Sequence, residues 1–208
     1  MRRRFHMALG VAAGAVLWSL APAQSKWQRE WPAETIVATP HMTVYRNVAP
    51  PSAFLNFCAR FRDQCEETPA NPPWSAPPER LMELMAVNYA VNHSMEAMTD
   101  QDLYEVSDYW TIPIVLYGDC EDYVLVKRKR LMDLGWPARA LLVTVVFHHG
   151  EGHAVLIAVT PDGDLVLDNK VDDVKPWHDT SYYFISRQSS EHPREWRSLV
   201  RWADHWGG

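Results

Sequence analysis

The sequence predicts an α+β chain. Three observations carry that reading: apolar residues recurring every three or four positions over 52–61 and 81–92 with a capped and stopped helix over 120–134, β-rich segments joined by short turns over 140–168, and the order of the two, helices first and an antiparallel meander after.

Arg2, Arg3 and Arg4 precede an apolar stretch from Met7 to Ala21 and a small-x-small site at Ala21-Pro22-Ala23. Together they predict a signal peptide over 1–23, removed on export. The stretch is shorter than the roughly 20 residues that span a bilayer, so cleavage is expected rather than a retained anchor. The mature chain is expected in the periplasm or beyond, with no stable membrane insertion.

Residues 24–51 read as an extended lead-in, with a short strand within Thr43–Val48 and an end at Pro50-Pro51; a single domain is expected over 52–208. Ser52 is a candidate N-cap for a helix through Phe54, Leu55, Phe57, Cys58 and Phe61, ending near Cys65. The five prolines of Thr68–Pro78 predict a loop. Leu81, Leu84, Met85, Asn88, Val91 and Asn92 share one face of the next helix. Asn88 and Asn92 interrupt that face, and bonding to neighbouring backbone is preferred over a part in shaping a site. Thr99–Tyr117 is expected as a loop, since Pro113 opposes a continuous helix.

Asp119 is placed to cap a helix from Cys120 to about Leu134, with Gly135 and Pro137 as its stop signal. Strands are expected at Ala140–Phe147, His153–Thr160 and Leu165–Asp168, joined by turns at His148–Gly152 and Pro161–Asp164. Ser181–Arg187 has strand character, and Trp196–Trp206 reads equally as a short helix or a strand.

The net charge of -6 argues against a nucleic-acid partner. The 10 tryptophans are read chiefly as large core residues. Three cysteines leave one over if the others pair in an oxidising compartment. Cys58 and Cys65 are close enough to form a bridge and are expected to pair. The competing readings are two reduced thiols or half of a zinc site, although no second ligand pair lies nearby.

Cys120 is thus the candidate nucleophile. A position in the first helical turn favours its thiolate, whereas Asp119, Glu121 and Asp122 oppose it, so the cluster calls for a counter-charge. His153 at the start of one strand and Asp168 at the end of the next are brought together by antiparallel pairing. His153 would then move the proton of Cys120 and Asp168 would orient the imidazole. The backbone N–H of Cys120 would help to bind the oxyanion.

Gly118-Asp119-Cys120-Glu121-Asp122-Tyr123, Gly152-His153-Ala154-Val155-Leu156 and Leu167-Asp168-Asn169 together resemble the bacterial transglutaminase-like cysteine proteinases, a family that includes LapG-type periplasmic adhesin proteases. Asp108-Tyr109-Trp110, Val87-Asn88 and Val91-Asn92 extend the resemblance over roughly 50–200. It implies a papain-like or transglutaminase-like core, with the nucleophile at the N-terminus of a helix packed on an antiparallel sheet. It also implies a Cys120-His153-Asp168 triad and calcium held by Asp119, Glu121 and Asp122, whose hard oxygens suit that ion.

The function expected is an exported cysteine endopeptidase acting on a periplasmic or surface protein, a large adhesin among the candidates. An inner-membrane receptor is implied as a regulatory partner. The alternatives are an acyltransferase or amidase with the same triad and a catalytically idle binding module.

Overall fold

The computed structural model describes residues 41–67 and 78–201. The expected signal peptide at 1–23, most of the lead-in, most of the proline-rich loop and the last seven residues lie outside the described residues.

In chain order the elements are β1 (Asn47–Val48), α1 (Ser52–Arg60) with a 3-10 turn at Arg62–Cys65, α2 (Pro78–Ser94), β2 (Glu96–Ala97), α3 (Asp100–Tyr104), β3 (Tyr117–Gly118), α4 (Cys120–Asp133), β4 (Leu141–His148), β5 (Glu151–Thr160), β6 (Gly163–Leu167), β7 (Lys175–Pro176), β8 (Tyr183–Gln188) and β9 (Trp196–Ser198). Among the described residues they form an antiparallel sheet of order β1-β9-β8-β4-β5-β6-β7, and β2 pairs with β3 in parallel.

The period-two pattern of the central strands sorts their side chains onto two faces. Leu141 and Val143 of β4, Ala154, Leu156 and Ala158 of β5, and Leu167 of β6 join the main core with residues of α1, α2 and α4. Leu142, Val146, Val155, Ile157 and Val166 form a smaller core with Met42 and Phe184 on the other face. Each fully buried aliphatic side chain contributes about 1.5–3 kcal/mol. Both faces are covered, so these strands read as nearly continuous apolar runs.

Tight turns set the register of the meander. His149 (φ 52°) and Gly150 (φ 85°) form the two-residue β4–β5 connection, where consecutive positive φ angles match the twist of the strands. Pro161 and Asp162 connect β5 to β6, with Thr160 opposite Gly163. At the end of α4, Gly135 (φ 86°) directs its N–H to Met132 O, while Trp136 N–H reaches Leu131 O.

Two expectations change. The Thr99–Tyr117 segment contains α3, begun by the Thr99 hydroxyl accepting from Asp102 N at 3.2 Å and ended by Glu105 at φ 59°. Five residues are too few to show a helical apolar period, but the cap suffices to start the turn. Ser52 is the first residue of α1 rather than its cap, and Pro51 occupies the cap position.

At the C-terminal end, Trp196 lies in a strand; it is fully buried against Phe54, with ring centroids 5.3 Å apart. Trp110 and Trp136 are buried as well. Residues ahead of Ser52 from His41 onward also join the folded body. Buried Asp164 accepts from Met42 N at 3.0 Å and pairs with Arg187 at 2.7 Å and His41 at 2.8 Å.

Cys58 and Cys65 are joined in a disulfide, with Cα atoms 5.5 Å apart. The bridged turn touches α4, because Arg128, itself buried, donates to Gln64 O at 2.9 Å and to Leu141 O at 3.0 Å. This buried guanidinium fastens the middle of the helix to both α1's extension and β4. Burial pulls its pKa down to about 10, still charged at neutral pH.

Candidate active site

The site forms where the N-terminus of α4 meets the start of β5. Cys120 is the first residue of the helix and the free cysteine among the described residues. The backbone amide of Ala154, the residue after His153, favours the charged form of its sulfur. The thiol donates to Glu121 Oε2 at 3.3 Å. Nucleophile and candidate base thus stand on two elements packed together, α4 and β5, while the sulfur lies against Glu121. Burial, followed by the charge of Glu121, pushes the Cys120 thiol well above its ordinary range.

His153 and Asp168 meet directly. Imidazole Nε2 lies 2.9 Å from Asp168 Oδ1, and both side chains are almost wholly buried, at 2% and 4% exposure. Asp168 stands immediately after β6, in a turn where Lys170 N–H also reaches Oδ1 at 3.1 Å. The Tyr182 hydroxyl donates to Oδ2. Burial disfavours the Asp168 charge, yet the hydrogen bonds from His153, Tyr182 and Lys170 hold the carboxyl below its usual range.

Asn88 and Asn92 of α2 hold this turn from behind. Asn92 Nδ2 donates to Asp168 O at 2.9 Å and to Asp172 Oδ1 at 3.0 Å, and Asn88 Nδ2 donates to Val171 O and Asp172 O. Backbone bonding is thus their visible part, and through it they shape the site. Lys127, fully buried on α4, lies within electrostatic reach of Asp168 and Asp172; burial pulls its pKa down to about 7.

The acidic cluster differs in membership from the sequence expectation. Asp100, Asp119 and Glu121 each bring an oxygen within 4.8 Å of the others. Asp100 enters from the first turn of α3, the helix the sequence does not reveal. Asp119 makes no side-chain cap bond to α4; its Oδ2 instead accepts from Asp100 N at 3.4 Å. Asp122 is wholly buried beside them and accepts from Thr111 N at 2.9 Å. Gly118 leaves room for it, since a Cβ there would lie 2.5 Å from Asp122 Oδ2.

This crowding has an electrostatic cost. Burial and then the neighbouring Asp119 raise Glu121 to about 10, and burial chiefly raises Asp122 to about 8. Asp100 is raised too, mainly by burial. Asp100 Oδ1, Asp119 Oδ1 and Asp122 Oδ2 are buried without a hydrogen-bond partner. Buried carboxylate oxygens without donors need either protons or a cation.

Residues 44–203 match the family profile described as bacterial transglutaminase-like cysteine proteinase. The chain belongs to this family. It is a transglutaminase-like cysteine peptidase. Calcium-bound LapG of Legionella pneumophila is similar in structure, with TM-score 0.50 and 20% identity, the match covering 72% of this chain and 80% of LapG. A second LapG structure from the same organism gives TM-score 0.50 and 20% identity over 74% and 81% of the two chains. At that identity the likeness shows the shared fold. No curated protein sequence matches the chain.

Sequence reasoning missed Asp100 and Tyr182 in this transglutaminase-like peptidase. Thr99-Asp100-Gln101-Asp102 carries a short capping signal that could have located the first. Nothing in the order of residues marks the second, which comes to Asp168 only when β8 crosses the sheet. No helix among the described residues is long and apolar enough to cross a membrane.

Proposed function

We propose that this peptidase cleaves an exported or surface-held protein by way of a Cys120 acyl-enzyme, in the periplasm or outside the cell. The observation that carries the reading is the buried His153–Asp168 pair, 2.9 Å apart, next to the helix N-terminus bearing the free cysteine. Because Nε2 is committed to Asp168, Nδ1 is the nitrogen left to exchange a proton with Cys120.

Sγ attacks the scissile carbonyl carbon as its proton passes to Nδ1. The C–N bond then breaks and the amine leaves with that proton. His153 next takes a proton from water, which attacks the thioester, and the thiol is restored. Asp168 stays ionised and stabilises the imidazolium throughout. The Cys120 backbone N–H at the helix start is a donor for the oxyanion. A large adhesin is the substrate suggested by the family, with an inner-membrane receptor as regulatory partner.

Calcium fits the acidic cluster. The partnerless buried oxygens of Asp100 and Asp119 form a hard, negatively charged donor set with Glu121. Asp100, Asp119 and Glu121 would hold the ion, with Asp122 beside them. A bound divalent charge would offset the carboxylates that disfavour the thiolate.

Without the ion, Asp122 titrates near 8 and Glu121 near 10 in the folded chain, both above their ordinary values of 3.8 and 4.5. The folded state then holds protons that the unfolded state has lost, so metal-free stability falls as pH rises from the ordinary carboxylate range through 8 and on toward 10. Calcium should therefore raise the melting temperature relative to chelator, and the gap should widen with pH. Identical melting curves with and without calcium across that range would remove the ion from the proposal.

The function is tested by comparing the exported proteome of wild type with that of a Cys120→Ala strain. A backbone terminus present only with the wild-type enzyme is expected. An intact substrate carrying a new isopeptide bond or a deamidated Gln would overturn proteolysis in favour of acyl transfer or deamidation.

A further inference from the structure

We infer that Tyr182 is a positioning residue for the reaction: its hydroxyl fixes the Asp168 carboxylate, and its ring shields the His153–Asp168 pair from water. The inference rests on the Cys120-His153-Asp168 reading above.

Asp168 divides its oxygens unequally. Oδ1 receives both His153 Nε2 and the Lys170 amide, whereas Oδ2 has Tyr182 as its described donor. Removing the hydroxyl leaves a buried charged oxygen without that donor and frees the carboxylate to turn about its χ2 axis. A turned carboxylate no longer sets the imidazole plane, and Nδ1 loses its aim at Cys120.

The ring has its own placement. Its centroid lies 5.8 Å from the His153 ring and 4.9 Å from the His148 ring, the latter edge to face. Tyr182 thereby bridges the end of β4, the start of β5 and the Asp168 turn. It is partly buried itself, while the pair beneath it is almost fully covered. Excluding water strengthens the charge interaction between Asp168 and the imidazolium.

The test needs no protein substrate. Alkylation of Cys120 by iodoacetamide, followed by mass spectrometry in calcium-containing buffer, reports how readily the thiolate–imidazolium pair forms. Tyr182→Phe keeps the ring and removes the hydroxyl. Its alkylation should be about tenfold slower near neutral pH, the scale of one hydrogen bond to a charged group. It should return to the wild-type rate in strongly alkaline buffer, where the thiol ionises unaided. Equal slowing at both pH values would point to altered packing and overturn the inference, as would a wild-type rate at neutral pH.

His153→Ala separates the two levels of the argument. If His153→Ala slows alkylation near neutral pH and Tyr182→Phe does not, only the role of Tyr182 falls. If His153→Ala alkylates at the wild-type rate, the Cys120–His153 pairing falls and the inference with it.

Discussion

Cys120→Ala should abolish peptidase turnover while leaving the melting temperature within a few degrees of wild type. The change removes one sulfur at the edge of the core, together with its bond to Glu121. It removes no backbone donor from the first turn of α4. Loss of a covalent nucleophile costs about 10⁴-fold or more, because binding and oxyanion contacts cannot replace the acyl-enzyme. Loss of the thiol beside Glu121 leaves the carboxylates of the acidic cluster in place. Substantial residual turnover would sink the nucleophile assignment, and a collapse in stability would mean that the sulfur mainly holds the fold.

Gly118→Ala should damage both stability and activity. A Cβ at Gly118 would lie 2.5 Å from Asp122 Oδ2 and 2.7 Å from Asp122 Cβ, closer than atoms approach without movement. Rotating the carboxylate relieves only the first contact. The second involves an atom fixed to the helix backbone, so β3 or the first turn of α4 must shift. Overpacking of this kind costs about 1–3 kcal/mol. The shift also moves Cys120, two residues away, and small misplacements of a nucleophile are expensive in rate. Gly152→Ala is the control: a Cβ there has nothing within 4 Å, so its melting temperature should match wild type. Unchanged stability and rate in Gly118→Ala would refute the close-packing argument.

The sequence made the central architecture legible because local signals there agree with the tertiary outcome. The helix opening at Cys120, its Gly135 stop and the antiparallel meander follow from cap and turn chemistry. The pairing of Cys58 with Cys65 follows from their closeness in the chain and the odd third cysteine. The acidic cluster was only half legible. Asp119, Glu121 and Asp122 stand side by side in the chain, but helical geometry sends the Asp122 carboxylate toward Thr111 and Gly118. The place beside Asp119 and Glu121 is taken by Asp100, which is distant in sequence. Tyr182 was illegible for the same reason. A contact between the residue just before β8 and the residue just after β6, strands that two others separate, leaves no trace in residue spacing.

The two ends of the main sheet bear on how such an enzyme meets its substrates. β1 and β7 are each two residues long, and β7 ends in Pro176, which has no N–H to offer. Among the described residues, an extended polypeptide finds little unpaired ladder at these two margins to join as an extra strand. That geometry guards against edge-to-edge aggregation at those two margins. It also means that a protein substrate has little to gain by docking along the sheet margin, leaving recognition to the surfaces around Cys120.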